Sequence, residues 1–230
     1  MFQSRQRNVL GSLSAALLLG LSGGCSSSRH STKVDESWLA RVPPDQMNDV
    51  RQAQATLNKA EDQVTRASVA EEDGKRELKI AKKEEKAAKA SRDAAQSAVK
   101  ASKETGRGED PNAQQRLEQA DAQLAAAKAQ VTWRERVATT RKSLKTMRER
   151  ERDVAEAELE QARYQTLQHS GDVRAEKLNG NEFARKVDEA KQKAQQTQQV
   201  VENDLKQQRE ARAEWQKLDS QVQAIGGSGR

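Results

Sequence analysis

The sequence predicts an all-α protein: an elongated antiparallel helical hairpin or three-helix coiled-coil bundle that follows a flexible N-terminal tether. Three observations support this fold class. Small and apolar residues recur every 3.5 positions over long stretches, which is the spacing at which one helix packs along another. Charged residues make up 33% of the chain and aromatic residues only 3%, and there are three prolines. Such a chain forms long helices with narrow apolar seams more readily than a thick core.

Low hydrophobicity is also typical of disordered chains, and the mean hydropathy here is -1.03. Two features argue against disorder. The 41 basic and 35 acidic side chains nearly cancel, and the apolar residues are periodic along the chain. We therefore favour packed helices over a disordered chain.

The first predicted helix carries the clearest seam, between residues 50 and 102. If Val50 is heptad position a, every d position is small, and the a positions are larger apolar residues interrupted by charge in the middle. Small d residues allow a partner helix to approach closely. The a positions are Val50, Leu57, Val64, Glu71, Leu78, Glu85, Arg92 and Val99, and the d positions are Ala53, Ala60, Ala67, Gly74, Ala81, Ala88, Ala95 and Ser102.

Three of these a positions are charged: Glu71, Glu85 and Arg92. Polar seam residues in coiled coils commonly specify register or reach the edge of the seam. The alternative hypothesis is that these three residues mark a seam where a partner helix docks. The sequence leaves both interpretations open.

A locally basic run lies in the same helix between Lys75 and Lys89. Acidic residues interleave the run, and no aromatic side chain is nearby to stack on a base. We therefore predict a solvated face and no nucleic-acid partner.

Glycine and proline signals divide the helices. The segment Gly106-Arg107-Gly108-Glu109-Asp110-Pro111 is the strongest turn signal, and Asn179-Gly180 marks a second break. In the second helix the apolar stripe shifts phase near Trp133, which we expect to pack there. The coiled-coil domain is thus predicted over 44–225, with helices at about 44–105, 111–170 and 181–225, a flexible tail at 226–230, and residues 172–179 unassigned.

The N-terminus is predicted to be a signal peptide over residues 1–24. Arg5 and Arg7 precede an apolar stretch that is too short for a membrane-spanning helix. The stretch ends in Leu21-Ser22-Gly23-Gly24-Cys25, which resembles the lipobox of bacterial lipoproteins, although Ser22 stands where that family usually has Leu. An ordinary secretory peptide and an uncleaved anchor are the alternatives.

The resemblance implies that the peptide is cut before Cys25, that its sulfur receives a diacylglycerol, and that its new amine receives a fatty acid such as palmitate. Cys25 is the only cysteine, so an intramolecular disulfide is excluded. By the sorting rule of well-studied Gram-negative lipoproteins, Ser26 implies the outer membrane, facing the periplasm.

Residues 25–43 are predicted to be the lipidated cysteine and a flexible tether, because residues 26–37 are polar and short of apolar side chains. Trp38, Leu39 and Val42 form a small apolar patch within this segment. We expect the patch either to staple the end of the bundle or to contact a membrane surface.

No catalytic site is predicted. His30 and His169 are far apart in sequence, no cluster of cysteine and histidine exists, and Gly106–Gly108 lacks the Lys-Ser/Thr of a phosphate loop. Carboxylates on the wet faces of a narrow bundle have nothing to raise their pKa for acid catalysis. We therefore expect no enzyme, no cofactor and no metal.

The function expected from these features is that of a membrane-anchored envelope lipoprotein acting as a structural spacer or scaffold. One alternative is an adaptor or regulator that docks on an envelope machine for secretion, efflux or wall hydrolysis. Another is a binder of the cell wall or of polyanions. Protein partners and self-association are compatible with long coiled-coil faces.

Overall fold

The computed structural model describes residues 33–104 and 110–227, and this part of the chain is all-α, as predicted. The signal peptide, Cys25, the tether up to residue 32, the loop 105–109 and residues 228–230 lie outside the described residues. The described chain contains no β-strand. In order, the elements are α1 (Glu36–Leu39), a 3-10 helix (Pro44–Met47), α2 (Asn48–Glu104), α3 (Pro111–His169), a 3-10 helix (Val173–Lys177) and α4 (Gly180–Gly227).

Helix α3 is the central element. Helices α2 and α4 both pack along α3 and scarcely contact each other. Both run antiparallel to it, as the pairs Arg92–Asp121 and Glu71–Lys145 show for α2. With 59 residues, α3 is about 90 Å long at about 1.5 Å per residue. The molecule is therefore a rod, and it realises the three-helix form of the prediction.

The predicted seam of α2 faces α3. All of the sixteen a and d positions are buried or half-buried. Gly74 is among the buried ones, and a Cβ atom there would lie 3.0 Å from Cδ of Arg141 and 3.4 Å from Cα of Ala138. A small residue is required at this point because α3 comes so close.

The phase shift in α3 has a simple structural cause: this helix packs on two sides. Every residue from Ser143 to Val154 is half-buried, because α2 covers one side and α4 the other. A helix between two partners needs two apolar stripes, and in the sequence the two stripes look like one stripe that drifts. Trp133 packs against α4 near the start of this shift, as expected.

The ends of α3 follow local chemistry. At its start, Asp110 Oδ1 accepts a bond of 2.9 Å from the Asn112 N–H, and Pro111 occupies the first turn. At its end, Gly171 has φ of 69°, and the N–H groups of Gly171 and Asp172 donate to Gln168 and Leu167, respectively. This is a Schellman termination. Residues 172–179 therefore form a separate turn and do not continue α3.

The prediction of a flexible tether up to residue 43 is wrong for residues 33–43. Val34, Leu39 and Val42 are buried in one cluster with Leu167 and Phe183. The end of α3 and the start of α4 expose apolar side chains there, and burying each aliphatic residue contributes roughly 1.5–3 kcal/mol. The Trp38 patch is thus a staple on the end of the bundle. We call residues 33–47 the end cap.

At the opposite end of the rod, residues 33–104 and 110–227 contribute only two helices. Gly226, near the end of α4, lies against Gln119 of α3. The stretch of α3 before Gln119 and the stretch of α2 after Arg92 therefore extend further as a two-helix tip. Gln114, Gln115 and Glu118 are exposed along this part of α3, so no apolar stripe continues there for α4 to cover.

Candidate functional site

The end cap is held by polar contacts as well as by its apolar cluster. The Val34 N–H donates to Glu160 Oε2 at 2.8 Å, and Arg163 Nη2 donates to Glu36 Oε1 at 2.6 Å. Arg163 also bonds Glu160 at 2.8 Å. These contacts tie the start of the described chain to α3 more than 120 residues later, so the N-terminal segment is fixed at one end of the rod.

A second group of contacts fixes Trp38. The Arg174 guanidinium lies 5.3 Å from the centre of the Trp38 ring, and Arg174 also donates to the Trp38 carbonyl at 3.4 Å. Asp172 accepts from Arg174 Nε at 2.8 Å and closely contacts Nη2 of the same side chain. The Arg174 side chain and its backbone N–H lower the pKa of Asp172 to about 2.

The polar seam lies in the middle of the α2–α3 pair. Glu71 is only 8% exposed and sits between Lys75 at 2.9 Å and Lys145 at 3.2 Å. Hydrogen bonds from Lys75 and Lys145 lower the pKa of Glu71. Its charge is therefore satisfied within the protein.

Arg92 is the second polar seam residue that contacts α3. Its Nε donates to Asp121 Oδ1 at 2.9 Å, and its Nη1 donates to Gln96 at 2.8 Å. The Asp121 carboxylate raises the pKa of Arg92. Glu85 is half-buried on the same seam. The contacts of Glu71 and Arg92 favour the register interpretation, and docking of a partner at these residues stays a prediction.

Sequence reasoning missed a neighbouring ion-pair group. Glu77 accepts from Arg134 at 2.6 Å and from Arg141 at 3.1 Å. Arg141 reaches Glu77 by crossing α2 at Gly74, where its Cδ atom lies closest. The available signal was the heptad: Glu77 is a g position, and e and g residues commonly form ion pairs between helices.

Two tryptophans clasp α3 to α4. The rings of Trp133 and Trp215 stack with centroids 4.7 Å apart and planes 10° apart. The Arg134 guanidinium lies 4.1 Å from the centre of the Trp133 ring, within cation–π range. Among the described residues, Trp133 Nε1 is buried without a hydrogen-bond partner. The clasp is a packing feature far from the end cap.

Between α2 and α4, one face of α3 forms the floor of an open trough of about 500 Å³. Met147 and Val154 lie on the floor, Ala60 and Ala194 on the two walls, and Glu158 at the rim, where it pairs with Lys191. Small-molecule sites are usually enclosed, largely apolar clefts. This trough is shallow and partly charged, so its shape suits contact with an extended partner surface better than binding of a small ligand.

Within residues 33–104 and 110–227, no group of histidine, cysteine and acidic side chains has the arrangement of a metal site. None of the helices described here is long and apolar enough to cross a bilayer. Cys25 and His30 lie outside these residues, and His169 is exposed at the end of α3. The chain matches no protein-family model, no curated protein and no solved structure.

Proposed function

We propose that this protein is a bacterial envelope lipoprotein that holds a helical rod off a membrane by its capped end, as a spacer or scaffold for protein partners. The observation that carries the proposal is the position of the end cap. Residues 33–47 pack where α3 ends and α4 begins, so a lipid on Cys25 would attach to one end of the rod and not to its side.

The dimensions support a spacer. Lys33 is the eighth residue after Cys25, and eight residue steps span at most about 28 Å. The capped end would therefore lie close to the membrane surface. The two-helix tip would lie about 90 Å further out, at the rise of an α-helix. The outer membrane, facing the periplasm, is the location that the lipobox resemblance and Ser26 suggest.

The scaffold role is supported by the length and charge of the faces. The narrow rod exposes α2 and α4 along most of their lengths, and a partner protein could contact many turns at once. Specific interfaces commonly need about 800 Å² from each partner. An adaptor for one envelope machine would use the same faces, and crosslinking in cells would separate the two roles by the number of partners recovered.

The lipid anchor is tested by Cys25→Ser in cells fed a palmitate analogue. We expect the variant to lose the label and to leave the membrane fraction, because it has no other cysteine to carry a diacylglycerol. Ser28→Ala is the matched control and should stay labelled and membrane-bound. Continued labelling of Cys25→Ser would refute the lipobox interpretation.

A further inference from the structure

The basic run of α2 forms one exposed face of the rod. Residues three, four and seven apart lie on the same side of a helix, and five lysines share this spacing. They surround Leu78 in a shallow depression of about 380 Å³. The five are Lys75, Lys79, Lys82, Lys83 and Lys86.

The face continues onto α3. A second depression, of about 550 Å³, shares Lys75 and Leu78 with the first and extends to Arg136 and Lys142. We call the five lysines of α2, together with Arg136 and Lys142, the basic face. Its cations come from two antiparallel helices, so no single stretch of the sequence contains all of them.

The acids that interleave the lysines in sequence largely turn away from this face. Glu77 points to the other side of the hairpin, where it bonds Arg134 and Arg141. Glu84 is seven residues later and lies on the same side as Glu77. Glu85 is half-buried on the seam. The lysines are exposed to solvent, but the alternation of charge along the sequence does not describe how the charges are arranged in space.

Few carboxylates remain to neutralise the basic face. Glu71 and Glu72 pair with Lys75, and Glu135 pairs with Lys82 at 3.0 Å. Seven cations thus face three carboxylates. In the part of the chain that the structure describes, five of the cations form no ion pair: Lys79, Lys83, Lys86, Arg136 and Lys142.

We propose that the basic face binds a linear polyanion whose charges are phosphate groups. Lysine ammonium groups are mobile point charges that bind phosphate without fixed geometry. The row from Lys75 to Lys86 extends about 16 Å along the helix, long enough to contact several successive phosphates. Binding would release counterions while the ammonium groups remain wet.

An acidic protein helix fits this face less well. Protein interfaces draw most of their energy from a desolvated apolar or aromatic centre. The only apolar side chain in the lysine depression is Leu78, and it is already half-buried against α3. A docked helix would desolvate the lysines and gain little apolar contact, whereas a flexible polyanion avoids that cost.

The basic face is tested with the full chain and fluorescently labelled long-chain polyphosphate over a series of salt concentrations. The test variant is Lys79→Gln, Lys83→Gln and Lys86→Gln combined. The control combines Lys206→Gln, Arg209→Gln and Lys217→Gln, three exposed cations of α4, so both variants lose the same net charge. Circular dichroism checks that both variants remain helical.

We expect the test variant to bind polyphosphate at least about tenfold more weakly at low salt. The slope of log K against log salt should fall by roughly 2, because each lost phosphate contact removes about 0.7–0.9 from that slope in nucleic-acid complexes. The control should stay within about twofold of the native chain, since distant charges act only through the screened overall field. This inference does not depend on lipid anchoring.

Three results would overturn the proposal. Equal losses in the two variants would mean that net charge alone drives binding. Failure of the native chain to bind polyphosphate would show that the basic face does not bind a phosphate polyanion. Equal or tighter binding of a helical glutamate-rich peptide would instead indicate an acidic protein as the partner.

Discussion

Gly74 shows how a single residue organises the middle of the hairpin. Because it has no side chain, Arg141 of α3 can cross α2 there and reach Glu77. These ion pairs are about one third exposed, and exposed pairs typically contribute only about 0–1 kcal/mol. We infer that they fix the register of the two helices more than they add to stability.

Enlarging residue 74 should therefore separate the helices. We expect Gly74→Leu to lower the free energy of unfolding by about 2 kcal/mol, because inserted methylene groups force neighbouring side chains and backbone apart. Gly74→Ala should stay within about 1 kcal/mol of the native chain, because its gain in helix propensity offsets the tight contact with Arg141. Urea unfolding followed by circular dichroism measures both.

Ala87→Leu is the control for Gly74→Leu, because Ala87 is exposed on the same helix. It should leave the unfolding free energy nearly unchanged. If Gly74→Leu proved as stable as Ala87→Leu, the close crossing at residue 74 would be wrong.

At the scale of elements, the end cap fixes the N-terminal segment at one end of the rod and so defines an attachment end. It contains a short helix and a 3-10 helix, and it packs against the turn that follows α3. Arg174 of that turn joins it to the cap, because it bonds Asp172 and stacks on Trp38.

The Asp172–Arg174 pair should make docking of the cap depend on pH. The pKa of Asp172 in the folded chain is about 2, below its ordinary value of 3.8. The pair therefore stabilises the cap fully above about pH 4, and this stabilisation is lost as the pH falls towards 2. In protein labelled with 5-fluorotryptophan, we expect the Trp38 fluorine signal to move towards its undocked position over this range.

Asp172→Asn should weaken docking at neutral pH and reduce the change in the Trp38 signal between pH 4 and pH 2. Asp45→Asn, at an exposed position in the neighbouring 3-10 helix, is the control and should retain the native titration. An unchanged titration in Asp172→Asn would assign the effect to other carboxylates, such as Asp35, whose pKa is lowered by its bonds to Ser37.

The elements that the sequence predicts well are those with local signals. Heptad spacing identified the seam of α2, and the proline and glycine signals around Pro111 and Gly180 placed the ends of the helices. A staple by the Trp38 patch was one of two expectations, but the packing of Val34 and of the rest of residues 33–43 was not predicted, because their partners Leu167 and Phe183 are more than 120 residues away. The basic face was not predicted from the sequence because its cations come from two helices.

At the scale of the whole molecule, the rod has three regions: the end cap, a three-helix shaft with α3 in the centre, and a two-helix tip. A long and thin shape has little core, so its stability is spread over many turns. That shape suits separation and bridging better than enclosure of a ligand. The proposed spacer role requires that the rod stand away from the membrane to which Cys25 would anchor it.

The height of the tip above the membrane tests this account most directly. Cys25 is the only cysteine and would carry the lipid, so Gln115→Cys at the tip and Gln46→Cys at the end cap each supply one thiol for a dye. With the lipidated protein in vesicles, energy transfer to acceptor lipids should be strong from residue 46 and nearly absent from residue 115, about 80 Å further along the helices. Equal transfer from both positions would show a rod lying flat on the membrane and would contradict the spacer role.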